Sequence, residues 1–196
     1  MRTGSILWLL LAGCATVSPV RDAATEQRAR QALQEACPRG VRLTQRAVVN
    51  AAGRQFSCDG IVQVAADGEL RAALLSPVGV MAEVRVSPTG SVDVLKTARS
   101  FREAWARRYV ATTAQWLFAP DEPALQFGRL ADGRATLWRE GPERTRWAYV
   151  FSADGTRWEE LSVSRGWQRF YRAERNGDGG FHVTATGCDI DLRMVK

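Results

Sequence analysis

The chain has 196 residues, 45% of them hydrophobic and 24% charged, proportions that exclude a disordered state and suit one domain with a real core. One histidine, His182, and four cysteines without a CxxC pair leave too little material for a histidine-rich metal site or a zinc ribbon, so no metal and no cofactor is expected. The net charge is +6, yet Lys96 and Lys196 are the only lysines and the arginines are spread through every segment. A nucleic-acid footprint gathers its cations on one face, so no nucleic-acid partner is expected.

At the amino terminus, Arg2 is followed by the apolar run Ile6-Leu7-Trp8-Leu9-Leu10-Leu11-Ala12 and then by Gly13 and Cys14. This is the pattern of an export leader, far short of the roughly 20 residues that span a bilayer. Leu11-Ala12-Gly13-Cys14 resembles the lipobox of bacterial lipoproteins. The resemblance implies cleavage before Cys14, a diacylglycerol on its thiol and an acyl group on the new amino end. Acyl chains at about 0.8 kcal/mol per buried CH₂ would hold such a chain on a membrane. Ala15 stands where many inner-membrane lipoproteins carry Asp, which by the same resemblance directs the chain to the outer membrane, facing the periplasm. The organisation then reads 1–13 signal peptide, 14–21 lipidated cysteine and tether, and 22–196 a single domain. Removing the leader leaves 183 of the 196 residues, and the loss of Arg2 lowers the charge to +5.

An oxidising compartment favours one disulfide among Cys37, Cys58 and Cys188. The sequence allows three pairings and chooses none; the alternative is three buried thiols acting as small apolar residues.

From Asp22 onward, Ala29, Ala32, Leu33 and Ala36 recur at helical spacing, and Pro38 and Gly40 stop the pattern. The apolar stripe is narrow, as in a lid lying on a surface. The period then changes to two. Segments 41–49, 56–65, 70–75, 80–86 and 92–95 read as strands separated by turn sequences such as Asp67-Gly68 and Pro88-Thr89-Gly90, which makes an antiparallel meander. Ser100 and Glu103 have the spacing of a capping box. A second helix follows, with Phe101, Trp105, Tyr109, Thr112 and Trp116 as its inward stripe, ending before Pro120. Beyond Pro123 the strand pattern resumes, with turns at Asp132-Gly133, Gly141-Pro142, Asp154-Gly155, Gly166 and 176–180. Trp138, Trp147, Trp158 and Trp167 sit in this half. The expectation is an α+β domain: a strongly curved antiparallel sheet of about 10–12 strands, an incomplete half-open β-barrel with helices covering its concave side.

Catalytic patterns are missing. Ser162-Val163-Ser164-Arg165-Gly166 lacks the first glycine of a nucleophile elbow, His182 lies within a strand pattern, and 176–180 lacks the carboxylate spacing of a calcium loop. An enzyme is not expected.

The segment Leu74-Leu75-Ser76-Pro77-Val78-Gly79-Val80-Met81, between two strands and after a lipobox, helix and first hairpin, resembles the outer-membrane lipoprotein receptor of the Lol pathway, the LolA/LolB-like family. A related group of small proteobacterial lipoproteins shares the turn, and 190–196 resembles the family's closing strand. The resemblance implies an apolar cavity that accepts the acyl chains of lipoproteins or lipids handed over by a periplasmic LolA-like carrier. It also implies a membrane-facing turn at Pro77, Val78 and Gly79, with Val78 as the apolar tip. Leu74, Val84, Phe101, Trp105 and Trp116 are the candidate cavity lining. The alternative is a non-catalytic structural or assembly lipoprotein of the envelope, working through surface contacts of the tryptophan-bearing strands.

Overall fold

The computed structural model describes residues 17–195 except 52, 121, 167, 178 and 187; the leader, Cys14 and Ala15 lie outside them. Helix α1 is Ala23–Ala36. Asp22 caps it, its carboxylate accepting from the Thr25 amide at 3.1 Å, which satisfies one of the N–H groups a helix start leaves without a partner. The helix ends at Cys37, and Gly40, with φ 72°, supplies the left-handed turn that leads into the sheet.

Twelve strands follow: β1 Val41–Ala51, β2 Arg54–Val64, β3 Leu70–Ser76, β4 Gly79–Val86, β5 Val92–Thr97, β6 Gln126–Arg129, β7 Ala135–Glu140, β8 Thr145–Phe151, β9 Trp158–Arg165, β10 Gln168–Arg175, β11 Phe181–Ala185 and β12 Cys188–Met194. They form one antiparallel sheet in the order β5-β4-β3-β2-β1-β12-β11-β10-β9-β8-β7-β6. Each strand pairs with its sequence neighbour, except that β1 also pairs with β12, with Gln45 opposite Met194 and Ala51 opposite Cys188. This joins the predicted five-strand meander to the second half. β5 and β6 do not pair, so the sheet is an open barrel with two edges.

Successive hairpins alternate between two rims. The β1–β2, β3–β4, β7–β8, β9–β10 and β11–β12 turns lie on one, here the upper rim; the β2–β3, β4–β5, β6–β7, β8–β9 and β10–β11 turns lie on the lower. Helix α1 crosses the lower rim. The Gly40 amide donates to the Val64 carbonyl at 2.8 Å, Arg28 Nε donates to the Asp154 carbonyl at 2.7 Å, and a Cβ on Gly155 would stand 2.7 Å from the Thr25 oxygen. Only glycine fits under the helix there.

The second helix, α2, starts as an α-helical turn Glu103–Trp105, continues as a π-helical segment Ala106–Ala111 and finishes as an α-helix Thr112–Phe118. Two expectations fail in it. Arg102, not Ser100, is the N-cap residue, and no side chain caps the end. The inward stripe is Ala106, Val110, Ala114 and Leu117 together with Ala111 and Phe118, one residue or about 100° around from the aromatic stripe. Alanines let the helix lie close on β3, β4 and β5, and the neighbouring Trp105 and Tyr109 are left half exposed.

One core holds the fold together. Ala29 and Leu33 of α1 and the small inward residues of α2 join Val62, Leu70, Val84, Leu137, Leu161, Val163 and Val183 on a single face of the sheet. The helices do not cover that whole face. Toward the upper rim a second apolar cluster, Ala47, Val49 and Cys58, contains no helix residue.

The expected disulfide is not formed: Cys37, Cys58 and Cys188 make no bridge with one another. Register gives the reason for two of them. Cys58 pairs with Ala47 and Cys188 with Ala51, on opposite sides of β1. Two strand spacings put them about 10 Å apart across the sheet, beyond the Cα separation of about 7 Å that a bridge tolerates. The Cys37 thiol instead donates to the Leu117 carbonyl at 3.3 Å, tying α1 to α2.

Candidate functional site

Toward the upper rim lies a buried apolar cluster that, among the described residues, includes no helix residue. Ala47, Val49 and Cys58 form its floor; Leu74, Met81, Cys188, Ile190 and Leu192 pack around them half exposed. Leu74, Ile190 and Leu192 also touch the main core, so the apolar floor runs unbroken from the rim into the interior. Phe56, opposite Val49, is an exposed ring at its margin. Gln45 is the polar point beside it, buried, its amide donating to the Met194 sulfur at 3.3 Å.

The turn predicted to face a membrane stands on the same rim. Val78 is 98% exposed between Pro77 and Gly79. Gly79 has φ 125°, which other residues rarely adopt, and the Ser76 hydroxyl donates to its carbonyl at 3.1 Å. The turn therefore presents an apolar side chain to solvent and has not folded it into the core. A register shift between Leu74 and Leu75 marks where β3 and β4 leave the regular ladder, the local kink that re-aims a strand end.

The five candidate lining residues do not form one wall. Leu74 lies at the seam between the two clusters. Val84 is completely buried, so it is core and lines no open space. Phe101 packs on the core and meets Trp105 edge to face at 6.1 Å, while Trp105 itself is 47% exposed. Trp116 lies farther along α2, edge to face with Tyr171 at 5.0 Å and with Trp147 at 6.3 Å, and its carbonyl accepts from the Tyr149 hydroxyl at 3.0 Å. The floor residues Ala47, Val49, Ile190 and Leu192 escaped the sequence reading; alternation along β1 and β12 was their only signal.

Two thiols and one phenol are shifted toward their protonated forms. Burial pushes the Cys58 thiol up, with Asp59 adding to the effect, and burial followed by Asp189 does the same to Cys188; protonated thiols are poor nucleophiles. Burial also pushes the Tyr171 phenol well above its ordinary range. His182 Nδ1 and the Asp191 carboxylate lie 2.7 Å apart on adjacent strands, with no nucleophile in the pair. Among the described residues no group of three His, Cys, Asp or Glu side chains could hold a metal.

Among the described tryptophans of the second half, none is fully exposed. Trp158 is buried, its ring nitrogen donating to the Glu160 carbonyl at 2.9 Å. Trp147 and Trp138 lie beneath the guanidinium groups of Arg139 and Arg146, at 4.8 and 5.1 Å. Trp167 falls outside the described residues.

Part of the expected tether is docked on the sheet. Ser18 forms an antiparallel bridge with Arg129 through two 2.9 Å hydrogen bonds, and Val17 lies over Gly128, where a Cβ would approach its Cγ1 to 2.6 Å. Arg129 also holds Asp22 at 2.8 Å. A glycine inside a strand was the sequence signal for this close approach.

No family model matches this sequence, and no curated protein matches it. Solved structures do match the fold. A LolA-superfamily protein of Nitrosomonas europaea superposes with a TM-score of 0.57 at 10% identity, over 88% of this chain and 92% of that one. The fold is of the LolA/LolB type. A DUF1329-family protein of Desulfovibrio piger gives 0.54 at 11% identity over 89% of this chain and 91% of that one. A domain of Vibrio parahaemolyticus described as an outer membrane lipoprotein-sorting protein gives 0.52 at 8% identity over 88% and 92%. At these identities the likeness is one of fold.

Proposed function

We propose that this chain is a lipoprotein of the cell envelope, anchored through Cys14 to the outer membrane, that takes acyl chains of lipoproteins or lipids into the upper apolar cluster and delivers them to the bilayer in a LolB-like role. One observation carries the reading. A buried apolar cluster to which no helix contributes a residue shares its rim with a turn whose Val78 is 98% exposed. Exposed apolar surface is costly in water and marks an interaction site. Beside a bilayer the tip gains what it loses in solution, and an acyl chain leaving the floor has a short path to lipid. A structural neighbour described as an outer membrane lipoprotein-sorting domain supports the same class of work; in this reading the cargo arrives on a periplasmic LolA-like carrier and no bond is made or broken.

The test is delivery of an acylated lipopeptide, loaded on a soluble carrier, to vesicles bearing the lipid-anchored protein. Val78→Glu is expected to abolish delivery while leaving lipopeptide bound to the protein. Undiminished delivery by that variant would show that the turn is not used. The alternative remains an assembly lipoprotein acting through surface contacts of the second half, where Trp158 is buried and Trp147 and Trp138 lie beneath Arg139 and Arg146.

A further inference from the structure

One face of helix α2 leaves two rings half exposed. Trp105 and Tyr109, one turn apart, are 47% and 46% exposed, and each ring carries a guanidinium: Arg102 lies 5.7 Å from the Trp105 centroid and Arg108 5.6 Å from that of Tyr109. Residues 99–109 hold four arginines and one acid. The acid, Glu103, is bound to Arg107 at 2.9 Å. Among the described residues no carboxylate pairs with Arg99, Arg102 or Arg108. The helix begins beside the exposed turn, because the Ala98 amide donates to the Met81 carbonyl at 2.8 Å. Val78 and the Leu95 of edge strand β5 are further exposed apolar side chains in this half of the sheet.

We propose that this face of α2 is a docking surface for the headgroup layer of an anionic phospholipid bilayer. The inference rests on the membrane-tethered reading above and adds lipid selectivity to it. Tryptophan and tyrosine combine an apolar ring with a polar edge and settle at the headgroup level. A guanidinium binds phosphate through two parallel N–H groups, and here it is already placed over the ring that would enter beside that phosphate. Arginines without an acid partner are drawn to a negative surface, whereas the lip of a cavity for acyl chains alone has no use for them. Val78 and Leu95 supply the deeper apolar contacts.

Hydrogen exchange on the lipid-anchored protein decides it, with vesicles of phosphatidylcholine alone or mixed with phosphatidylglycerol. Amides of 99–109 are expected to exchange more slowly on the anionic vesicles only, and the protection to be lost in R102E/R108E and in high salt. W105A/Y109A is expected to weaken it. Equal exchange on both lipids, or protection that survives R102E/R108E, overturns the proposal. Slowing that follows protein density on phosphatidylcholine marks a second copy of the chain as the occupant and also overturns it. The delivery assay with Val78→Glu reads the underlying function separately, so a failure of one is distinguishable from a failure of the other.

Discussion

Ser18 and Val78 stand at opposite rims of the sheet. Ser18 is hydrogen-bonded to Arg129 at the lower end of β6, and Val78 tips the β3–β4 turn at the upper rim. Strands of seven and eight residues separate the rims by about 25 Å. From Cys14 to Val17 the chain spans at most about 10 Å. Under the proposed anchoring at Cys14, a docked strap would bring Val78 to the bilayer with the molecule lying along its length. With the strap released, the tether extends to Asp22 and the molecule can stand on its upper rim.

Gly128→Val tests the strap. The added side chain would take the space of Val17 Cγ1 and the Ser18 carbonyl, so the strap should leave β6. The loss is bounded by what the strap contributes: two backbone hydrogen bonds at about 1 kcal/mol each. A stability loss of roughly 1–3 kcal/mol in denaturant unfolding is expected, with faster exchange at the Ser18 amide and the α1 amides unchanged.

Acid should loosen the same corner. The Arg129 hydrogen bond, followed by those from Thr25, holds the Asp22 carboxyl at about 2 against an ordinary 3.8. Its folded value lies below its unfolded one, so the carboxylate stabilises the fold above pH 3.8 and this contribution fades as the pH falls toward 2. Asp22→Asn should remove that part of the acid transition, read as helix signal and as exchange of the first α1 turn.

Cys58 and Cys188 should titrate as two thiols in unfolded protein prepared without reductant. In the folded protein Cys58 should react slowly, and faster as the pH is raised, because burial keeps it protonated. A bridge between them would contradict the β1–β2 and β1–β12 registers.

Core and site should separate in mutagenesis. Leu33→Ala and Leu117→Ala remove completely buried side chains, at a cost of about 2–5 kcal/mol each. Val78→Glu, at a side chain in open solvent, should stay within about 0.5 kcal/mol. Equal losses would mean that Val78 belongs to the core.

The sheet was legible because its signals are local. Alternation in 41–49 and 80–86 and the turn pairs Asp67-Gly68, Asp132-Gly133 and Asp154-Gly155 each specify their element without outside help. Helix α2 was legible as a helix and misread as a face: 105/109/116 and 106/110/117 both recur at helical spacing, and the small stripe packs closer to the sheet than the bulky one. The disulfide failed because compartment chemistry says nothing of register. The upper floor was hidden because Ala47, Val49, Ile190 and Leu192 acquire meaning only when β1 pairs with β12, a contact between the two ends of the chain.

The central claim is that the upper cluster holds acyl chains. Native mass spectrometry of the lipid-anchored protein, released from membranes into mild detergent, measures this directly. The account predicts bound fatty acid or phospholipid that an acylated lipopeptide displaces and that Ala47→Trp, by filling the floor, excludes. A lipid-free protein, or bound lipid unaffected by Ala47→Trp, would contradict it.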